Sequence, residues 1–353
     1  MFLLPRFIPI LICVCFCFGV PTQAQAWWFW GKQKWQTMSP EEQNIAAEKL
    51  FTKAESIELQ KKGAKKATKL YLEICKRFPV SDYAPIALNR AADNQMANYQ
   101  WKKALDNYQD LVTRYPNHNR YEEAIERIFQ IGTAYEEGFH VYFAGIFPIQ
   151  KPQSAISTYE RLVSVAPYHD LAPLCLMRIA LLYTEDKSSI GAIDAYDRLI
   201  NFYPRSMMGA DAHINLGKAY RSLTMGADYD QYSTREAINI FQDFLVLYPQ
   251  NPSTITAEES LAETLDLLAR NKLVSGVFYY KSRDFYDAAK IFFNDAITIA
   301  PHSKAADEAR EYLAVIDKIE EAYPDGNYPR RTLWQHLIFW KSYHPESDMP
   351  GLN

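Results

Sequence analysis

The seven histidines of this 353-residue chain are scattered from His118 to His344, and no two stand at a spacing that would bring them together on one helix face as metal ligands. No Gly-x-Ser-x-Gly elbow surrounds any serine, and the chain carries neither a phosphate-cradling glycine loop nor a dinucleotide fingerprint. Adjacent carboxylates such as Glu122/Glu123 and Glu320/Glu321 lie in polar helical stretches, where consecutive side chains point away from each other rather than toward one reacting atom. These residues predict no enzyme, no metal, no cofactor and no small-molecule substrate. What remains are groups that could hold a polypeptide: Asn89 and Asp93, Gln130 and Thr133, and Arg178. By helical register they fall on the first helices of successive repeats, where amides and charges suit the main-chain groups of an extended peptide. The alternative for each is plain solvation.

The elements that must carry these groups are marked by a pattern that recurs six times: Ala, an aromatic four residues on, an apolar residue three later, and Pro five after that. It reads Ala67/Tyr71/Ile74/Pro79, Ala104/Tyr108/Leu111/Pro116, Ala155/Tyr159/Leu162/Pro167, Ala192/Tyr196/Leu199/Pro204, Ala237/Phe241/Phe244/Pro249 and Ala289/Phe293/Ala296/Pro301. Offsets of four and three put the first three residues on one helix face, with the small residue admitting a neighbouring helix and the aromatic filling the gap. Proline then ends the helix, because it has no N–H and its predecessor avoids the α region. This is the second helix of a tetratricopeptide repeat, a helix-turn-helix unit of about 34 residues. The expected fold is all-α, a tetratricopeptide-repeat solenoid of about six repeats over residues 41–322. Such stacks mostly bind other proteins.

The signature prolines recur at intervals of 37 to 52 residues, so some repeats carry insertions. Ile131-Gly132 with Tyr135 marks the first helix of the third repeat, which places an apolar insert at 138–152, before Ala155. That insert either folds back on the stack or presents a patch to a partner. Leu216-Gly217 with Tyr220 marks the fifth repeat, followed by a polar insert around 226–230. The first helix of the sixth repeat is long, from about Thr256 to Ser282, as one helix or two collinear ones, with Leu261, Leu265, Leu268, Val274 and Phe278 as its apolar stripe. A capping helix from Ala305 to Glu321 directs Ala309, Leu313 and Ile316 inward.

The ends have a different composition. Residues 1–26 hold one cation, Arg6, an apolar stretch from Phe7 to Val20, and Ala24-Gln25-Ala26, the layout of a secretory signal, with a short uncleaved anchor as the alternative. Residues 27–40 are tryptophan-rich. Trp27, Trp28 and Trp30 beside Lys32 and Lys34 suit either contact with a membrane interface or docking on the stack. The tail, 323–353, carries a second aromatic segment from Leu333 to Tyr343, for which docking on the stack is expected. The net charge of −4, with basic residues not gathered into one stripe, argues against a nucleic-acid surface and for protein partners. Beyond the signal only Cys75 and Cys175 remain, in different repeats, so two buried thiols are expected rather than a disulfide.

In the sixth repeat the likeness becomes more specific. Leu261-Ala262, Leu265, Val277, Phe278-Tyr279-Tyr280-Lys281-Ser282-Arg283, Tyr286 and Ala288-Ala289 resemble the long helix and turn of the BamD outer-membrane assembly factor family. The repeat endings Arg77-Phe78-Pro79, Arg114-Tyr115-Pro116 and Phe202-Tyr203-Pro204 are similar to that family's usage. The resemblance runs from Glu41 to Glu321. It implies an exported scaffold at the periplasmic face of the outer membrane of a Gram-negative-type bacterium, binding the POTRA domains of a BamA-type insertase and unfolded segments of outer-membrane β-barrel precursors. Carried over, Tyr280, Lys281, Arg283 and Tyr286 would lie at or near the BamA-facing part, with Tyr280 and Tyr286 also at packing positions. The chain departs from the family in having six repeats rather than about five and in lacking a clear lipidated cysteine; a membrane contact through Trp27, Trp28 and Trp30 would replace the lipid. The competing expectation is a periplasmic adaptor for peptidoglycan synthesis or envelope division, similar to the CpoB type.

Overall fold

The computed structural model describes residues 38–138, 142–143, 147–148, 152–224, 231–283 and 285–326. Among them are thirteen helices and one minimal hairpin. The chain divides into two compact units, Met1–Ala124 and Ile125–Asn353, and the division falls inside a helix. The first unit holds α1 (Pro40–Glu58), α2 (Ala64–Arg77), α3 (Tyr83–Ala97), α4 (Trp101–Arg114) and the first turn of α5 (Tyr121–Glu137). The second holds the rest of α5, then α6 (Pro152–Val165), α7 (Leu171–Glu185), α8 (Ser189–Phe202), α9 (Gly209–Ser222), α10 (Gln231–Leu247), α11 (Thr254–Arg283), α12 (Tyr286–Ile299) and α13 (Lys304–Ala322). Within each unit consecutive helices pack as stacked hairpins.

The six-fold pattern is the core of both units. All eighteen of its Ala, aromatic and apolar residues are at most 1 % exposed. Each signature proline stands two residues beyond the end of its helix. The residue before it leaves the helical region in nearly the same way in three repeats, with φ −129°, ψ 57° at Phe78, −131° and 56° at Tyr115, and −129° and 54° at Tyr203, and more extended in the sixth, −141° and 80° at Ala300. The helix start in front of the stack is equally local. The Ser39 hydroxyl accepts from the Glu42 N–H and the Glu42 carboxylate accepts from the Ser39 N–H, a capping box with Pro40 in the first helical position.

Two further positions repeat with the pattern. Lys62, Tyr99 and Lys187, each five residues before a signature alanine, have φ between 58° and 67° and turn the chain from the first helix into the second. In the second unit Gly132, Gly217 and Gly276 lie directly beneath the rings of Tyr159, Phe241 and Phe293, where an added Cβ would sit 2.5–2.6 Å from ring carbons. Glycine is required there by close approach.

The long helix is continuous from Thr254 to Arg283, and it belongs to two cores. Its first half contributes Ala257 and Leu261 to a cluster with Ile214, Ala237, Phe241 and Phe244. Its second half contributes Ala269, Leu273 and Tyr280 to a cluster with Phe293, Tyr312, Ile316 and Ile319. The expected single stripe fails in that second half: Val274 and Phe278 are 38 % and 45 % exposed. The buried face rotates where the helix passes from one core to the next. The capping helix buries Ala309 and Ile316 as expected, with Leu313 partly buried, and adds Tyr312, Val315 and Ile319.

Within the 138–152 insert, β1 (Tyr142–Phe143) pairs antiparallel with β2 (Phe147–Pro148), Tyr142 opposite Pro148 and Phe143 opposite Phe147. The rest of that insert, the 226–230 insert, the segment holding Trp27, Trp28 and Trp30, and the tail from 327 lie outside the described residues. Cys75 and Cys175 are free and buried. Cys75 Sγ donates toward the carbonyls of Tyr71 and Ala84, and burial pushes its pKa up to about 12. No described helix is long and apolar enough to cross a membrane.

Candidate protein-interaction surface

A buried tyrosine needs an acceptor for its hydroxyl, and the repeats supply one in a regular way. In the first unit Tyr71 donates to Glu58 Oε2 at 2.7 Å, while Asn94, one repeat later, donates to the other oxygen at 2.6 Å. In the second unit Tyr159 donates to Glu136 Oε2 at 2.7 Å and Arg178, again one repeat later, donates to Oε1 at 3.0 Å. The carboxylate at the end of a first helix therefore ties the phenol beneath it to the first helix of the next repeat. Burial, and after it the carboxylate, hold the phenols of Tyr71 and Tyr159 above the ordinary tyrosine range.

Four of the five expected peptide-gripping residues belong to such clusters. Asn89 is only 3 % exposed and donates to Asp93, whose other oxygen accepts from Tyr108 at 2.6 Å. Thr133 donates to the Phe129 carbonyl and stands 3.3 Å from the Tyr159 hydroxyl, and Arg178 completes that group through Glu136. Gln130 is exposed and accepts from Arg127. Asn89 and Asp93 thus come together with Tyr108, and Thr133 and Arg178 with Tyr159. Most of their polar capacity is spent holding repeats in register.

In the sixth repeat Tyr280 and Tyr286 are core residues, their rings 5.7 Å apart, with Tyr280 edge-on to Tyr312 at 5.3 Å. Lys281 is half-buried on α11, and Arg283 closes the helix. Two rings near this turn reach solvent: Phe278 is partly exposed and Phe285 more so. Behind it Tyr279 stacks on Phe292 at 5.3 Å, with the Lys272 ammonium over the Phe292 ring.

Another concave surface among the described residues lies in the second unit, between the turn after α6 and the turn after α8. It is an open groove of about 920 Å³. Tyr203 donates to the Pro167 carbonyl at 2.6 Å across its base, the same stitch that Tyr115 makes to Pro79 in the first unit. Arg198 supports it from below through a two-pronged bond to Glu160, at 2.7 and 2.8 Å. Its rim exposes Tyr168 at 99 %, Met207 at 97 % and Phe202 at 71 %. Arg205 stands on the rim without a partner among the described residues. Aromatic and thioether walls with one available guanidinium can hold an extended peptide by an apolar side chain and a carboxylate. Sequence reasoning missed this groove. Its only trace there is a pair of aromatic-rich turns, Pro167-Tyr168 and Phe202-Tyr203-Pro204, at matching places in two repeats.

The tetratricopeptide repeat family matches residues 87–118, which run from within α3 through α4 to the turn beyond it. The fold is that of a tetratricopeptide-repeat protein. No curated protein matches the chain. Similar solved structures include MamA (18 % identity over 59 % of this chain and 93 % of that one, TM-score 0.29). The C-terminal part of a TPR repeat-containing protein from Cytophaga hutchinsonii shows 16 % identity over 81 % and 93 %, TM-score 0.30. Pseudomonas aeruginosa PilF shows 13 % over 76 % and 98 %, TM-score 0.27. At such identities and TM-scores, the fold assignment rests on the chain's own repeats and on the matched one.

Proposed function

We propose that this protein is a non-enzymatic periplasmic scaffold of outer-membrane β-barrel assembly, binding the POTRA region of a BamA-type insertase and unfolded barrel precursors. The observation that carries the proposal is the α11–α12 turn. Tyr280 and Tyr286 are locked in the core beneath it. Lys281, half-buried, therefore stands in the last turn of the long helix, between the sequence positions of the exposed Phe278 and Phe285, and Arg283 is the last residue of that helix. A cation beside exposed rings fits a protein partner that offers carboxylates around an apolar centre. The groove at Tyr168, Phe202 and Met207 supports the second half of the reading, since its shape and chemistry suit extended apolar segments.

The test is crosslinking in cell envelopes through a photoreactive residue at position 281 or 283, followed by identification of the captured neighbour. Capture of a POTRA protein is the expected result, lost with Arg283→Glu when the probe stands at 281 and with Lys281→Glu when it stands at 283. Recovery of peptidoglycan synthases with no barrel insertase would overturn it in favour of the envelope-division adaptor.

A further inference from the structure

Residues 59–72 contain five lysines, Lys61, Lys62, Lys65, Lys66 and Lys69, and no aspartate or glutamate. All five are exposed, and no described residue pairs with any of them. They surround the start of α2, where free backbone N–H groups already project positive potential and acidic residues would normally be favoured. Here the cap is Gly63 with no side-chain bond, and the first turn has no acid. The nearest carboxylate before them, Glu58, is occupied by Tyr71 and Asn94. The Asn94–Glu58 bond also holds the end of α3 beside the end of α1, so the α3–α4 turn emerges on the same edge of the unit. That turn brings Lys102 and Lys103, exposed and again with no acid in the first turn of α4. A chain of net charge −4 has thus gathered cations along one edge of its first unit, in an arrangement that folding alone disfavours.

The chemistry of the edge selects among anionic partners. It contains lysine only. No arginine lies within residues 59–72 or 98–103, and the edge exposes a single aromatic ring, Tyr99 in the α3–α4 turn, whereas nucleic-acid surfaces rely on arginine forks and arrays of aromatic platforms. An array of flexible ammonium groups without a pocket matches a diffuse plane of negative charge, to which each lysine adds about 1 kcal/mol near the surface. The sequence before α1 supplies Trp27, Trp28, Trp30 and Trp35 with Lys32 and Lys34, the residue types of a membrane interface. We infer that the lysine edge of the first unit docks on the anionic headgroup surface of a phospholipid bilayer. The inference stands independently of which protein partner binds the α11–α12 turn.

The test is co-sedimentation of the full chain with vesicles of phosphatidylcholine alone or with added phosphatidylglycerol. The apolar N-terminal stretch acts on both kinds, so the ratio of the two affinities reports the charge. The expected ratio is about tenfold or more in favour of anionic vesicles at low salt, collapsing in high salt. Lys61→Gln/Lys65→Gln/Lys66→Gln/Lys69→Gln should bring the ratio close to one, with unchanged thermal unfolding. A ratio near one for the parent chain, or the same ratio in parent and variant, overturns the inference. Tighter binding of duplex DNA than of anionic vesicles at equal salt does so too, and makes the edge a nucleic-acid surface.

Discussion

Gly276→Ala sets two physical effects of opposite sign against each other. An alanine in a helix interior is favoured over glycine by about 1 kcal/mol, so an unobstructed site would be stabilised. At Gly276 the new Cβ would lie 2.6 Å from Phe293 Cδ1 and Cε1, and ordinary contact begins at 3.4 Å, so the ring must retreat by about 0.8 Å. It has nowhere to go. Phe293 is fully buried and stacked on Tyr312 with ring centroids 5.1 Å apart, and Tyr312 is in turn edge-on to Tyr280. Overpacking of this kind costs about 1–3 kcal/mol. With little slack behind the ring, the net expectation is a loss of about 1–2 kcal/mol, and a larger one for Gly276→Val. Urea unfolding of the full chain gives the magnitude, and hydrogen exchange over residues 254–326 gives the location. A Gly276→Ala protein as stable as the parent, or more so, would refute the packing argument, because propensity would then have acted unopposed.

Three further outcomes follow from other features. Lys187→Gly relieves a left-handed residue in the α7–α8 turn (φ 58°) and should raise stability by up to about 1 kcal/mol in thermal unfolding. Tyr203→Phe removes the bond to the Pro167 carbonyl and should cost about 0.5–1.5 kcal/mol while loosening the apolar groove, readable as faster exchange in the turns after α6 and α8. Burial holds Tyr159 and Tyr196 above the ordinary tyrosine pKa, so their contribution is complete below about pH 10 and declines as pH rises through the folded values. The unfolded chain loses its protons first. The unfolding free energy from urea titrations should therefore fall above pH 10, by about 1.4 kcal/mol per pH unit for each such tyrosine, with a shallower slope in Tyr159→Phe/Tyr196→Phe.

The fold was legible because one helix face repeats with fixed offsets and every member of that face is buried. Ala67, Tyr71 and Ile74 could be assigned to the core before any neighbour was known, since a small residue, a ring and an aliphatic in that order fill one particular gap. Register along α11 was not legible. Val274 and Phe278 continue an apolar stripe in sequence, but the helix changes partners midway, and the new core takes Ala269, Leu273 and Tyr280 instead. Among the candidate binding residues, the spacing of Asn89 and Asp93 announced their contact, whereas the Tyr108 hydroxyl that takes the second carboxylate oxygen comes from another helix. The groove was hidden for the same reason. Tyr168 and Phe202 are ordinary turn aromatics until two repeats stack and place them on one rim.

A helix that serves two cores also decides how the molecule comes apart. In a regular stack each hairpin meets only its neighbours, so repeats can fray from an end one at a time. Here the loss of Ala269, Leu273 and Tyr280 from the last core would free the far half of a rod whose near half still holds Ala257 and Leu261 against Phe241 and Phe244. Thermal agitation at the carboxyl end is thereby transmitted along thirty residues of continuous helix, and α10 to α13 should melt as one cooperative block. The turn after Lys281 sits on that block and inherits its rigidity: the shape of the surface there is set two hairpins away.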